Sequence, residues 1–260
     1  MGSPVTYRSY LRLPELLDLQ SPLSAAHDEL LFLTIHQASE LWMKLALHEL
    51  DAARDHLAAD RLSPAFKMMA RVSRIQQQLI QSWEVLSTMT PADYSAMRGA
   101  LGTSSGFQSD QYRRLEFILG NRKPEMARLY PDEPHIAAGL QAELARPSLY
   151  DEALRLLARR GFALPIERDW AQPYPASSVV EAAWAAIYAD PATYWDLYEL
   201  AEKLVDLEYH VQLWRFGHLK TVERVIGFKQ GTGGTAGVNY LAKVIEQQFF
   251  PELLSVRTAL

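Results

Sequence analysis

Between Pro22 and Pro64 the chain runs for some forty residues without a glycine or a proline. No strand is that long, and a stretch free of both breakers is most simply a helix. Phe32, Ile35, Trp42 and Leu45, followed by Leu50 and Leu57, recur at intervals of three and seven, the spacing of one helical face. The spacing predicts a long helix from about Leu23 to Ser63. A second such run, opened by Asp190-Pro191, extends from Ala192 to about Ile226 and contains one glycine, Gly217. Two long helices therefore form the backbone of the fold, and the shorter elements must arrange themselves around them.

The shorter elements are marked by their caps. Ser63-Pro64 predicts the start of a helix reaching about Thr88, and Thr90-Pro91 with Asp93 predicts a short third helix. LGTSSG, from Leu101 to Gly106, is a loop by composition, and a further helix runs from about Gln108 to Gly120. Prolines at 124, 131, 134, 147, 165, 173 and 175 break the middle of the chain into two or three short helices, one ending at Gly161. Gly227 to Gly237 is a glycine-rich loop, and a closing helix is expected from Val238 to about Phe250. Alternating strand patterns and fixed-period repeats are absent, so the fold class is all-α, one helical domain rather than a solenoid.

Composition narrows the chemistry. The 260 residues include no cysteine, which excludes disulfides, iron–sulfur clusters, thiolate-held haem and cysteine nucleophiles. A formal net charge of −5 argues against nucleic acid as a partner. No apolar run approaches the roughly 18 residues of a membrane span, and the N-terminus lacks a signal-peptide pattern, so a cytoplasmic protein is expected.

Seven histidines are the strongest remaining candidates for metal chemistry. Nowhere does Glu precede His by three residues, which disfavours a ferritin-like di-iron bundle, and the His-Glu-x-x-His pattern of zinc hydrolases is missing. His218, among Val211, Trp214, Val222 and Val225, reads either as a buried core histidine or as a haem axial ligand. Gly217 beside it either admits a planar cofactor or marks a kink. His36 follows Phe32 by one turn and precedes Glu40 by another, which allows a plain core pairing with Glu40. Tyr94 and Arg98 share a face of the third helix, an arrangement suited to a carboxylate though common on any helix. The stretch Gly231 to Gly237 lacks P-loop spacing; it is either a flap offering the Thr232 hydroxyl or a structural loop.

The order and wording of these segments add what each lacks alone. DELLFLTIHQASELWMK, TPADYSAMRGALGTSSGFQSDQYRRLEF and LVDLEYHVQLWRFGHLKTVERVIGFKQGTGGTAGVNYL, with TYRSYLRL near the start and FFPELLSVRT near the end, closely resemble the bacterial tryptophan 2,3-dioxygenases. The resemblance covers about Thr6 to Thr258. It implies an all-helical enzyme with one noncovalent haem b per subunit, a homotetramer built as a dimer of dimers. L-Tryptophan and O2 would be its substrates and N-formylkynurenine its product. It further implies His218 as the iron ligand and His36 as the acceptor of the indole N–H. Phe32 would pack on the indole, Tyr94 and Arg98 would clamp the carboxylate, and Thr232 would stand near the ammonium and carboxylate. Ser105 and Gly106 would lie at the haem edge. Tyr10 and, from a neighbouring subunit, Tyr7 would wall the pocket. Residues 1–22 would then form a segment reaching a neighbour, and 23–260 the haem-binding domain. A second expectation, from relatives acting on substituted tryptophans or indoles, is a single oxygen insertion giving an oxindole. The chain departs from the family at Arg8, where a small residue is usual, and at Gly217, where arginine is common.

Overall fold

The structure, a computed structural model, describes residues 4–229, 231, 232, 234 and 237–260. It is all-α. Two short helices, α1 (Tyr7–Tyr10) and α2 (Leu13–Leu16), lead to the long α3 (Glu29–Ala58) and α4 (Leu62–Leu86). Next come α5 (Pro91–Arg98), α6 (Asp110–Leu119), α7 (Pro134–Leu144), α8 (Leu149–Arg159) and α9 (Ser178–Ala189). The long α10 (Trp195–Val225), α11 (Val238–Ile245) and α12 (Pro251–Ser255) complete the chain. Among the described residues no strand occurs, and no helix is long and apolar enough to cross a membrane.

Helices α3 and α10 both pack along α4. The seam is written in the sequence: Ala46, Leu50, Ala53 and Leu57 of α3 meet Ala65, Met69, Val72 and Ile75 of α4, with Leu200, Leu204, Leu207 and Val211 of α10 closing the core. Steps of three and four keep each set on one face, and the alanines let the axes approach. A buried ion pair between Arg54 and Glu143 ties α3 to α7, with Arg114 reaching Asp51 at 2.6 Å and Glu143 at 3.2 Å.

Several boundaries differ from expectation: in two cases a carboxylate satisfies backbone groups that a helix would have used, and α3 also ends at Ala58 rather than Ser63, with Asp60 in the left-handed region at φ 53°. Helix α3 starts at Glu29 rather than Leu23, since the Glu29 carboxylate accepts the N–H groups of Leu23 and Ser24 at 2.6 and 2.8 Å and folds the preceding chain into a turn. Helix α4 is capped at Arg61, without a side-chain bond, so Ser63 and Pro64 lie inside its first turn, where a missing N–H costs nothing. Helix α11 ends at Ile245, well before Phe250. There the N–H groups of Phe249 and Phe250 turn to the buried Glu208 carboxylate at 2.9 and 3.0 Å. Helix α10 runs without a break through Gly217.

Candidate active site

At one end of the bundle, the first half of α3, the last turn of α4 and the last third of α10 surround a hollow of about 1610 Å³, counted out to its mouth. Phe32, Ile35, His36, Ser39, Glu40 and Met43 line it from α3, and Trp214, Arg215, His218, Val222 and Val225 from α10. Both sets repeat at three and four, so the helical face that fills the core lower down becomes the wall of a cavity here. Ser104 to Phe107, Gly231, Thr232 and Tyr240 close it from the side. Gly237 brings the last two together: with φ +56° and the Lys229 carbonyl 2.8 Å from where a Cβ would stand, only glycine fits.

The two histidines are held differently. His36 Nδ1 lies 2.7 Å from the Phe32 carbonyl, and its ring packs 4.1 Å from the Phe32 ring. A carbonyl only accepts, so Nδ1 carries the proton and Nε2 is left as an acceptor. Burial lowers its pKa, so the ring is neutral at pH 7, with the Phe32 carbonyl and Glu40 opposing the shift. Glu40 is instead taken by the Gln111 amide at 2.7 Å, so no His36–Glu40 bond forms. For His218, neither ring nitrogen has a hydrogen-bond partner among the described residues. Its ring lies flat on Trp83, with centroids 4.6 Å apart and planes within 7°, and Trp214 tilts against it at 5.7 Å. Burial, and after it the nearby His36, pushes its pKa down to about 4, which leaves a neutral imidazole with a lone pair.

Trp83 belongs to α4 and gave no signal in the sequence. Its access to His218 depends on Gly217, where an added Cβ would stand 2.9 Å from the Trp83 Cδ1.

The wall beyond α6 is cationic. Arg113 and Arg215, both buried, share the buried Glu116 carboxylate at 2.7 and 3.1 Å, two guanidinium groups on one carboxylate, while Glu40 is the cavity's other acidic lining residue. Arg113 Nε is buried without a hydrogen-bond partner. A neutral histidine without a hydrogen-bond partner, flat aromatic walls and an under-satisfied arginine fit haem, which His218 would hold by its iron while Arg113 would offer a donor to an acidic group. Among the described residues no three His, Asp or Glu gather to hold a bare ion.

The remaining site residues fall into three groups. Phe32, Tyr94, Ser105, Gly106 and Thr232 line the cavity together with both histidines. The Thr232 hydroxyl donates to the Ser104 carbonyl at 2.6 Å, fastening one loop to the other; Gly233, Thr235 and Ala236 of the same stretch lie outside the described residues. Arg98 lines a smaller hollow next door that shares Tyr94 with the cavity, its guanidinium carbon 5.8 Å from the Tyr94 ring. Tyr7 and Tyr10 stand apart, 77% and 76% exposed on α1, and do not reach the cavity of their own chain.

Fold and site together define an all-helical protein with a large, aromatic-walled cavity faced by two neutral histidines from different long helices. Residues 1–135 and 174–260 match the family described as tryptophan 2,3-dioxygenase. A tryptophan 2,3-dioxygenase of Erythrobacter litoralis is 65% identical over the whole of both chains. Those of a Polaromonas and a Bradyrhizobium species are each 58% identical over 98% of this chain, covering 88% and 93% of their own. The chain belongs to the tryptophan 2,3-dioxygenase family, whose members are haem-dependent.

Proposed function

We propose that the protein inserts both atoms of O2 across the indole C2–C3 bond of L-tryptophan to give N-formylkynurenine, using one noncovalent haem b per subunit in the cytoplasm. The observation that carries this reading is the pair of neutral histidines on different long helices lining one cavity, one with no hydrogen-bond partner on its ring and one whose Nδ1 is taken by the Phe32 carbonyl, which leaves Nε2 as an acceptor. Haem, when bound, supplies the iron at which dioxygen is activated.

The protein's own residues then bind, orient and enclose. His218, with its uncommitted ring nitrogen, would hold the haem iron. His36 Nε2 accepts the indole N–H, and Phe32, already packed on His36, gives the indole a wall, so that C2 and C3 are fixed relative to the iron. His36 has no need to remove the indole proton, because its lowered pKa makes it a weak base and a good orienting acceptor. Tyr94, Arg98 and Thr232 take the zwitterionic end; Arg98 turns inward past Tyr94 to meet the carboxylate, which, buried unpaired, would cost several kcal/mol. Ser105 and Gly106 edge the haem, and the Thr232–Ser104 bond closes the cavity against water.

Assembly as a homotetramer, a dimer of dimers, is supported by large apolar side chains left exposed on α3 and α10, Leu41, Trp42, Tyr209 and Phe216 among them, and on the arm bearing Tyr7 and Tyr10. The arm, residues 1–22, would place Tyr7 in a neighbour's pocket; residues 1–3 lie outside the described residues. The oxindole-forming alternative has no observation in its favour. Aerobic incubation of the reduced haem protein with L-tryptophan tests the reading: N-formylkynurenine carrying two labelled oxygens is expected, and a product with one label overturns it.

A further inference from the structure

Outside the cavity wall made by Tyr94, Val225 and Ile226 lies a second hollow of about 520 Å³ including its mouth, and those three residues line both. Its charged lining is Arg98, Arg224 and Lys229 against the single carboxylate of Glu223. Three cations around one hollow run against a chain whose formal net charge is −5. Part of this has a structural explanation: Arg98 and Arg224 sit in the last turns of α5 and α10, where a positive charge offsets the negative helix end. Lys229 lies beyond any helix and has no such duty; among the described residues its ammonium makes no hydrogen bond or ion pair. Arg224 gives only its Nε to the Ser87 carbonyl, at 2.9 Å, and its terminal nitrogens are uncommitted.

We propose that this hollow is an outer binding site for the head group of a free α-amino acid. The carboxylate rests against Arg224 and Lys229, and the ammonium against the Glu223 carboxylate, one oxygen of which already pairs with Lys220 at 2.7 Å, before Arg98 draws the carboxylate inward past Tyr94. The proposal rests on the reading of L-tryptophan as substrate and extends it to how the zwitterion is captured. A cationic pocket on an acidic surface raises the local concentration of an anionic group and its rate of association, an effect that salt weakens.

The test uses the haem-loaded enzyme with Lys229→Gln, Arg224→Gln and the double variant. At low ionic strength kcat/KM for L-tryptophan is expected to fall roughly threefold to tenfold in the double variant, with kcat unchanged. The loss should shrink in high salt, be absent for tryptamine, which has no carboxylate, and be restored by Lys229→Arg. Equal losses for L-tryptophan and tryptamine, or no loss in either single variant, overturn the proposal. So does competition by inorganic phosphate as strong as that by indole-3-propionate, which would mark a general anion site. Should Arg224→Gln fail to fold, Lys229→Gln carries the test alone. If the unmutated enzyme does not turn over L-tryptophan, the substrate reading fails separately. The outer site is then judged by equilibrium dialysis of L-tryptophan under argon: a salt-sensitive loss of binding in the double variant upholds it, and unchanged binding removes it.

Discussion

Replacing Gly217 by alanine pits two effects of known size against each other. In a helix interior alanine is favoured over glycine by about 1 kcal/mol. Here the new methyl would stand 2.9 Å from Trp83 Cδ1, 3.5 Å from Cγ and 3.7 Å from Cβ. Carbon pairs are comfortable at about 3.5–4.0 Å, so the indole must retreat by at least half an ångström, and overpacking of this kind costs roughly 1–3 kcal/mol. The net expectation for Gly217→Ala is a destabilisation of about 0–2 kcal/mol. In a Trp83→Ala background the methyl has room, and the same change should stabilise by about 1 kcal/mol. The sign reversal, measured as a coupling of roughly 1–3 kcal/mol in a double-mutant cycle by chemical denaturation, is the diagnostic. Gly217→Ala should also disturb the Soret band, because the stacked indole is what orients His218. If the two changes add within about 0.5 kcal/mol and the spectrum is unaltered, Gly217 is not there for Trp83 and the reasoning fails.

The other expectations are briefer. His218→Ala should lose haem while circular dichroism keeps its helical signal; full haem occupancy would remove the ligand assignment. Arg98→Ala should raise KM for L-tryptophan strongly and leave tryptamine nearly unaffected; a wild-type enzyme that handles the two alike would refute the clamp. Because burial depresses the His36 pKa below its ordinary 6.5, the neutral, accepting form persists in mild acid, and kcat/KM should decline only as the pH falls below that value; a midpoint above 6.5 would contradict it. Glu208→Ala strips the acceptor from two buried N–H groups and should lower stability by roughly 3 kcal/mol or more, read from the unfolding midpoint.

Much of the fold was legible because it rests on local signals. The Thr90 capping box, the helix ends at Gly120 and Gly161, and the proline-free runs all depend on residues within a few positions of one another. The misplaced boundaries have two causes: those at Leu23 and Phe250 were settled by carboxylates, Glu29 and Glu208, whose bonds no propensity records, and that at Ser63 by a proline tolerated a position or two deeper than its cap. In the site, His36 and His218 could be singled out on their own helices. Trp83, Arg113 and Arg215 could not, since their roles depend on which helices face each other, and nothing near Trp83 in sequence distinguishes it from any other core tryptophan. Wording shared with a family suggested Tyr94 and Arg98 as a carboxylate clamp, but not that Arg98 opens onto a separate hollow from the histidines.

Helix α4 supplies one aromatic ring and little else to the cavity, yet it is the common support of the helices carrying both histidines. The gap between the imidazoles is therefore gauged by the girth of a rod to which neither belongs. Shaving Val72 or Ile75 to alanine, neither of which lines the cavity, is expected to let the two rods settle toward each other and narrow the slot, a change that a shifted Soret band would report without any lining residue being altered.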